Sequence, residues 1–170
     1  GAATGTVDTA NGYCGAYRDS GEKRHIYRRY FRFVTSALTT DATITAAYLH
    51  LYVSGGNNVN GTGLNVVTFA GNGSSAASTD YATARFSNGT TINRTYAAVL
   101  AGAAYYDFTF DAGGLIWISK IGNTDLGLRD TNDCTNTDFG ATGAGNYITT
   151  GLYGGANPPQ LVITYTLPET

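Results

Sequence analysis

Within a predicted strand over 43–53, residues 47–53 alternate without a break between small or aliphatic side chains and rings. A strict period of two is the mark of a β-strand whose two faces have different surroundings. The aliphatic face suits a hydrophobic core. The opposite face carries three rings in a row: Tyr48, His50 and Tyr52.

Other short segments with a β-strand pattern follow one another along the chain, and turn residues separate them. We predict strands at 27–34, 63–70, 105–110, 124–130, 147–153 and 160–167. The chain contains 23 glycines, which supply turns. Many short strands between turn signals are typical of sandwiches and jelly rolls.

The segment 111–120 breaks this pattern. Leu115, Ile116 and Ile118 surround Trp117, and Asp111 stands where a helix cap would. We therefore predict an all-β fold: a single jelly-roll-like β-sandwich domain over residues 1–170, with one short helical segment here. A chain of 170 residues is long enough to bury one sizeable core.

The charge balance and the distribution of apolar residues argue against two classes of function. Charged residues make up 13% of the chain and the net charge is −2. A protein that binds nucleic acid by neutralising phosphates needs a basic excess, which is absent here. No apolar run is long enough for a membrane-spanning helix, so we expect neither nucleic-acid binding nor membrane insertion.

Cys14 and Cys134 are the two cysteines of the chain. Two distant cysteines in an extracellular protein indicate one disulfide, and we predict that they are joined. The alternative is a pair of buried free thiols in a reducing compartment.

The segment 130–138 is the densest set of oxygen ligands in the sequence. Ca²⁺ takes six to eight oxygens, often from one loop. A structural Ca²⁺ bound by Asp130, Asp133 or Asp138 is therefore one interpretation. The other is a surface turn whose short side chains hydrogen-bond their own backbone. No other cofactor is predicted.

Two short motifs have both a functional and a structural interpretation. Four glycosylation sequons begin at Asn60, Asn72, Asn88 and Asn93, and Asn-Gly-Thr is also a common turn. The ending Leu-Pro-Glu-Thr, 167–170, matches what sortase leaves after cleavage, and it also suits a strand stopped by proline.

Aromatic and arginine side chains share the polar faces of two consecutive predicted strands. We predict that they form one glycan-binding or partner-binding face: Arg28, Tyr30, Arg32, Tyr48, His50 and Tyr52. Rings of this kind stack on sugars or on a protein partner, and they also pack within sheets. No catalytic arrangement accompanies them. His25 and His50 have no nucleophile motif nearby, and Glu22 and Glu169 are isolated.

Two stretches resemble a known group of proteins. Arg32-Phe33, Ala37-Leu38, 42–45 and 49–53 are similar to the opening of DNRLRE-type domains and related carbohydrate-binding modules. The stretches 110–133 and 158–166 are similar to the ending of β-sandwich domains in extracellular and phage-encoded structural proteins. The resemblance implies a secreted or surface-exposed, non-enzymatic protein that is adhesive, glycan-binding or architectural.

Residues 1–12 are polar and bury too little surface to form an element alone. We expect them to add a strand to a sheet edge, within the domain or across a subunit boundary. The sequence thus predicts a non-enzymatic structural subunit on an extracellular, cell or virion surface. Its partners would be copies of itself or another surface protein. The alternative is a carbohydrate-binding module that binds a polysaccharide through an aromatic sheet face.

Overall fold

A computed structural model describes residues 12–59, 61–70, 86–87, 93–138 and 145–169. The prediction of an all-β fold is confirmed: the strands form two antiparallel sheets. The first sheet contains β1 (Tyr13–Arg18), β2 (Arg24–Tyr27), β4 (Thr43–Asn58), β7 (Ala104–Thr109), β9 (Gly145–Thr150) and β10 (Gln160–Thr166). The second contains β3 (Arg29–Val34), β5 (Gly63–Thr68), β6 (Arg94–Thr95) and β8 (Asn123–Asp130).

Three single-turn helices lie in the described part of the chain: α1 (Tyr96–Val99), α2 (Ala112–Leu115) and α3 (Thr131–Thr135). The predicted helical segment near 111–120 is confirmed by α2. Its cap is Asp111, whose carboxylate accepts a hydrogen bond from the Gly114 amide at 2.8 Å. This satisfies one of the backbone donors that the first turn of a helix leaves without a partner.

β4 is the organising strand because its 16 residues pair with three others. β10 pairs along 43–50, β7 along 48–53 and β9 along 53–58, with a register shift between Val53 and Gly55. The alternation of 43–53 predicts this strand correctly: Leu49, Leu51 and Val53 are fully buried. The rings of the same strand therefore lie on the face that points away from the core.

Buried side chains from both sheets share one core. Leu49 and Ile148 come from the first sheet, and Phe31, Leu64 and Leu126 come from the second. The jelly-roll arrangement remains a prediction. In the described residues, no helix is long and apolar enough to cross a membrane.

The chain changes sheet at Arg28. The sequence predicts one strand over 27–34, but the structure has two, β2 and β3, in different sheets. The Arg28 guanidinium lies inside the protein on Asp133, with N···O distances of 2.8 and 2.7 Å. A buried arginine needs a carboxylate partner, and this pairing fixes the crossover point.

Residues 1–11 of the predicted edge strand lie outside the described residues. Gly12 continues the pairing of β1 with β9, because its carbonyl accepts a hydrogen bond from the Thr150 amide at 2.8 Å. Of the Leu-Pro-Glu-Thr ending, Leu167, Pro168 and Glu169 are exposed.

Candidate functional site: a tyrosine pocket floored by glycine

The register of three neighbouring strands surrounds one glycine with aromatic residues. Gly15 on β1 lies opposite Tyr27 of β2 and opposite Tyr147 of β9. Tyr13 and Tyr17 lie two residues away on either side of it, on the same face of β1. The intervening residues Cys14 and Ala16 point into the core and are fully buried. The four tyrosines therefore lie on the outer face of the first sheet.

The four rings pack around this glycine at contact distances. The Tyr13 ring centroid lies 5.5 Å from that of Tyr27 and 5.8 Å from that of Tyr147. The Tyr17 and Tyr27 rings are nearly parallel, with centroids 6.0 Å apart. Together with Gly145 and Asn57, these rings line a cavity of about 340 Å³, which we call the tyrosine pocket. Ligand pockets in proteins start at about 300 Å³.

Two backbone positions at the tyrosine pocket require glycine: Gly145, which lines it, and Gly15, which lies between the strands that carry its rings. Gly15 has φ +141°, a conformation that side chains rarely adopt, and a Cβ there would lie 2.1 Å from the Asn146 carbonyl oxygen. A Cβ at Gly145 would lie 2.7 Å from the Cβ of Tyr17. The bare backbone at these two positions leaves room for the rings and for the space between them.

The described residues that line the tyrosine pocket are mostly aromatic, and none of them is charged. Asn57 contributes a side-chain amide to this lining, and its Nδ2 donates a hydrogen bond to the Gly145 carbonyl at 3.2 Å. In the described part of the chain, the hydroxyls of Tyr13, Tyr17 and Tyr147 make no hydrogen bond. Flat rings bordered by hydroxyl and amide groups can stack on an apolar face of a ligand and hydrogen-bond its polar edge.

A histidine supports one wall of the tyrosine pocket. The His25 ring stacks on Tyr17 with centroids 4.5 Å apart and 7° between the planes. Its Nε2 hydrogen-bonds Asp19 at 2.9 Å, and this bond is the largest cause that lowers the pKa of Asp19. Asp19 also accepts from the Gly21 and Lys23 amides, so the turn between β1 and β2 holds the histidine in place.

A second group of rings, the His50 cluster, lies on the same outer face. It consists of Tyr48, His50 and Tyr52 on β4 and Tyr105 and Asp107 on β7, which pair in register. His50 stacks on Tyr105 with centroids 4.4 Å apart and 5° between the planes. Its Nδ1 hydrogen-bonds the Asp107 carboxylate. The predicted ring face of β4 is thus present, and Tyr105 extends it.

The structure does not bring the predicted arginine half of this face to β4. Tyr30 and Arg32 lie on β3, in the second sheet. Arg32 makes a two-pronged ion pair with Asp125 at 2.6 and 2.7 Å, and Tyr30 packs on Phe69 with ring centroids 4.3 Å apart. The prediction of one face from both strands is therefore wrong, because the chain changes sheet between them.

The calcium prediction is also corrected. Asp133 is buried between two guanidiniums, with Arg28 and Arg129 both within 2.8 Å of its oxygens. Asp130 caps α3 and accepts a hydrogen bond from the Tyr96 hydroxyl at 2.6 Å. Asp138 is exposed and pairs with Arg24 at 3.0 Å. Each carboxylate thus has its own partner, and no group of three metal-binding side chains forms among the described residues.

The two carboxylates at α3 have opposite pKa shifts. Burial raises the pKa of Asp130, and the hydrogen bond from Tyr96 only partly offsets this. Burial also acts to raise the pKa of Asp133, but the hydrogen bonds and charges of Arg28 and Arg129 outweigh it and the net shift is downward. These groups lock α3 to both sheets and have a structural role.

The predicted disulfide is not formed. Cys14 and Cys134 are both buried free thiols. The Cys14 thiol donates to the Leu128 carbonyl at 3.2 Å, and burial raises its pKa well above the ordinary value. Each thiol packs as a small apolar side chain, Cys14 in the main core and Cys134 against Val67, Phe69 and Phe86.

Three of the predicted glycosylation sites, Asn60, Asn72 and Asn88, lie outside the described residues. The fourth, Asn93, uses its amide inside the protein. Its Oδ1 accepts from the Val66 amide at 2.8 Å and its Nδ2 donates to the Thr109 carbonyl at 2.7 Å. This side chain joins the two sheets, and a glycan on its nitrogen would compete with that bond.

The sequence does not predict the tyrosine pocket, although it contains a weak signal of it. Tyr13, Gly15 and Tyr17 have the period of two, as do Gly145 and Tyr147. Each pattern is short and is interrupted by a glycine, which is a turn signal. Neither segment therefore shows the regular alternation of an amphipathic strand.

Comparison with known proteins leaves the site to be interpreted from its own chemistry. No protein-family model, curated protein or solved structure matches this chain. The resemblance to DNRLRE-type domains therefore stays a prediction.

Proposed function

We propose that this chain is a non-enzymatic carbohydrate-binding module of an extracellular, cell-surface or virion-surface protein. The tyrosine pocket is the observation that carries this proposal. Tyr13, Tyr17, Tyr27 and Tyr147 line a space together with Gly145 and Asn57, and none of these described lining residues is charged. A sugar ring has an apolar face of C–H groups and an edge of hydroxyls, which is the chemistry that such a lining complements.

The absence of charge from the lining selects the class of sugar. A carboxylated or sulfated saccharide would need an arginine or lysine partner to offset its desolvation, and neither is among the described residues that line the tyrosine pocket. A quaternary ammonium ligand would favour a nearby carboxylate, and the described lining contains none. Neutral saccharides are therefore the proposed ligands.

Affinity electrophoresis in gels that contain single polysaccharides tests this function. We expect neutral polysaccharides to slow the protein, and polyuronates, sulfated glycans and choline to have no effect. Tyr147→Ala should remove the retardation, since it deletes a wall of the tyrosine pocket. Tyr153→Ala is the matched control, because Tyr153 is 89% exposed and does not line the tyrosine pocket. No retardation by any neutral saccharide, or retardation that survives Tyr147→Ala, would contradict the proposal.

We propose a self-assembling structural subunit as the second candidate, and an apolar end of the molecule supports it. Val34, Ile116 and Ile121 are each at least 79% exposed. Hydrogen bonds between Thr35 and the Gly122 carbonyl bring the segments of Val34 and Ile121 together. Val34 and Ile121 therefore lie near each other, and exposed apolar side chains such as these and Ile116 favour contact with a second copy or another surface protein.

Sedimentation of the native chain tests this candidate. Ile116→Ser with Ile121→Ser should shift an assembled species toward the monomer, whereas Val59→Ser, at another exposed position, should not. A chain that sediments as a monomer at all concentrations would leave carbohydrate binding as the only proposal.

A further inference from the structure

Two ring clusters share the outer face of the first sheet, and β4 contributes to both. Asn57 lines the tyrosine pocket near one end of this strand, and His50 and Tyr52 lie further back along it. Leu51 and Val53 of β4 and Ile148 of β9 fill the core from the other side of the sheet. The tyrosine pocket and the His50 cluster therefore lie on the same side of this sheet.

The strip between the two clusters includes Gly55, which has no side chain. Gly55 pairs with Thr149 at the register shift of β4, and a Cβ at Gly55 would have no heavy atom within 4 Å. Tyr52 and Asn57 are five residues apart, which is roughly 16 Å along an extended strand. This length suits several linked sugar rings and exceeds one.

The His50 cluster has the parts of a second sugar subsite. The rings of His50 and Tyr105 stack nearly parallel to each other, and Tyr52 stands edge-on to Tyr105 with ring centroids 5.4 Å apart. When the Nδ1–H of a neutral His50 ring donates to the Asp107 carboxylate, Nε2 is left as an acceptor. In the described part of the chain, Nε2 has no partner. It can accept from a sugar hydroxyl.

We propose that the ligand is an extended, neutral polysaccharide that runs along β4 from the tyrosine pocket to the His50 cluster. This inference rests on the proposed carbohydrate-binding function and specifies the ligand as a chain instead of a terminal sugar. The tyrosine pocket holds one sugar unit. The His50 cluster holds another several units away, and Gly55 and Thr149 underlie the units between them.

Calorimetric titration with a series of oligosaccharides tests the inference. The series is cut from a polysaccharide that retards the native protein, and runs from one to six units. We expect affinity to rise at least tenfold between the shortest and longest members, since a second subsite adds ring contacts. His50→Ala and Tyr105→Ala should each remove most of this rise and leave the affinity for the shortest member unchanged. Tyr153→Ala should change neither value.

The outcomes separate the two proposals. A single sugar that binds as tightly as six units, or a length dependence that survives both His50→Ala and Tyr105→Ala, would overturn the extended ligand and leave the tyrosine pocket as a terminal-sugar site. If no polysaccharide retards the native protein, the proposed function fails first. Near-ultraviolet circular dichroism establishes that each variant is folded, and His50 and Tyr105 lie on the outer face, where truncation leaves the core intact.

Discussion

Gly145 lies directly opposite Tyr17 in the pairing of β9 with β1, and a Cβ at residue 145 would lie 2.7 Å from the Cβ of Tyr17. Tyr17 is also held on its other side, where His25 stacks on its ring. The ring therefore cannot move aside toward β2 without breaking the histidine stack. The shape of the tyrosine pocket depends on a missing side chain as much as on the tyrosines themselves.

Replacement of Gly145 by alanine should close the tyrosine pocket. The new methyl group would force Tyr17 or β9 to shift, at a cost of about 1–3 kcal/mol in the free energy of unfolding. We expect saccharide retardation in affinity gels to be lost while the protein remains folded. Gly102→Ala is the matched control, because a Cβ at this exposed glycine meets nothing within 4 Å. Unchanged binding by Gly145→Ala would show that Tyr17 does not shape the ligand site.

The sequence predicts most of the strands because alternation is a local property. The 43–53 pattern correctly separates Leu49 and Leu51 from the rings of β4. The change of sheet at Arg28 is not local. It depends on Asp133, more than one hundred residues away, whose carboxylate draws the Arg28 side chain inside. The local pattern of residues 27–34 contains no information about Asp133, and it therefore predicts one continuous strand.

Only part of the candidate site is predictable from the sequence, because only part of it is local. The rings of β4 belong to one strand and follow from its alternation. The tyrosine pocket is formed by three strands, whose pairing brings Tyr13, Tyr27 and Tyr147 around Gly15. Long-range register is not encoded in any single segment. The thiols show the same limit, since burial and the Leu128 carbonyl provide for Cys14 without a disulfide.

Replacement of Asp133 by asparagine should be strongly destabilising at neutral pH. It removes the charge that neutralises Arg28 and Arg129, whose side chains are 6% and 0% exposed. Breaking a buried ion pair in this way costs about 3–5 kcal/mol. Denaturant titration measures the loss, and Asp41→Asn, at an exposed position, serves as the control. A loss no larger than that of the control would contradict a buried ionised carboxylate.

The same pair of proteins should differ in their pH dependence. Because the pKa of Asp133 is lower in the folded protein than its ordinary value of 3.8, its ionised form stabilises the fold above that value. This contribution is lost as pH falls through the lowered pKa. The difference in unfolding free energy between the native protein and Asp133→Asn should therefore be constant above about pH 5 and shrink below about pH 4. A difference that grows as pH falls would have the wrong sign.

Both thiols should be free and slow to react in the folded protein. Cys14 is fully buried and its raised pKa keeps it protonated at pH 8, while the thiolate is the reactive form. An aromatic disulfide reagent should modify the native protein slowly. In guanidinium without reductant it should modify two thiols per chain, Cys14 and Cys134. A count of zero under these conditions would mean that a disulfide links them after all.

The Asn93 side chain should contribute to the free energy of unfolding, although its sequon suggests an exposed glycosylation site. Its amide accepts from Val66 of the second sheet and donates to Thr109 of the first, so Asn93→Ala would leave a backbone donor and a backbone acceptor without these partners. Each unsatisfied group costs about 1–3 kcal/mol when it is shielded from water. We expect a loss of roughly 2–4 kcal/mol in unfolding free energy by denaturant titration, against less than about 0.5 kcal/mol for Asn123→Ala at an exposed position. If Asn93→Ala were no more destabilising than Asn123→Ala, the two hydrogen bonds of Asn93 would contribute nothing to the free energy of unfolding, and the sheets would not be joined through this side chain.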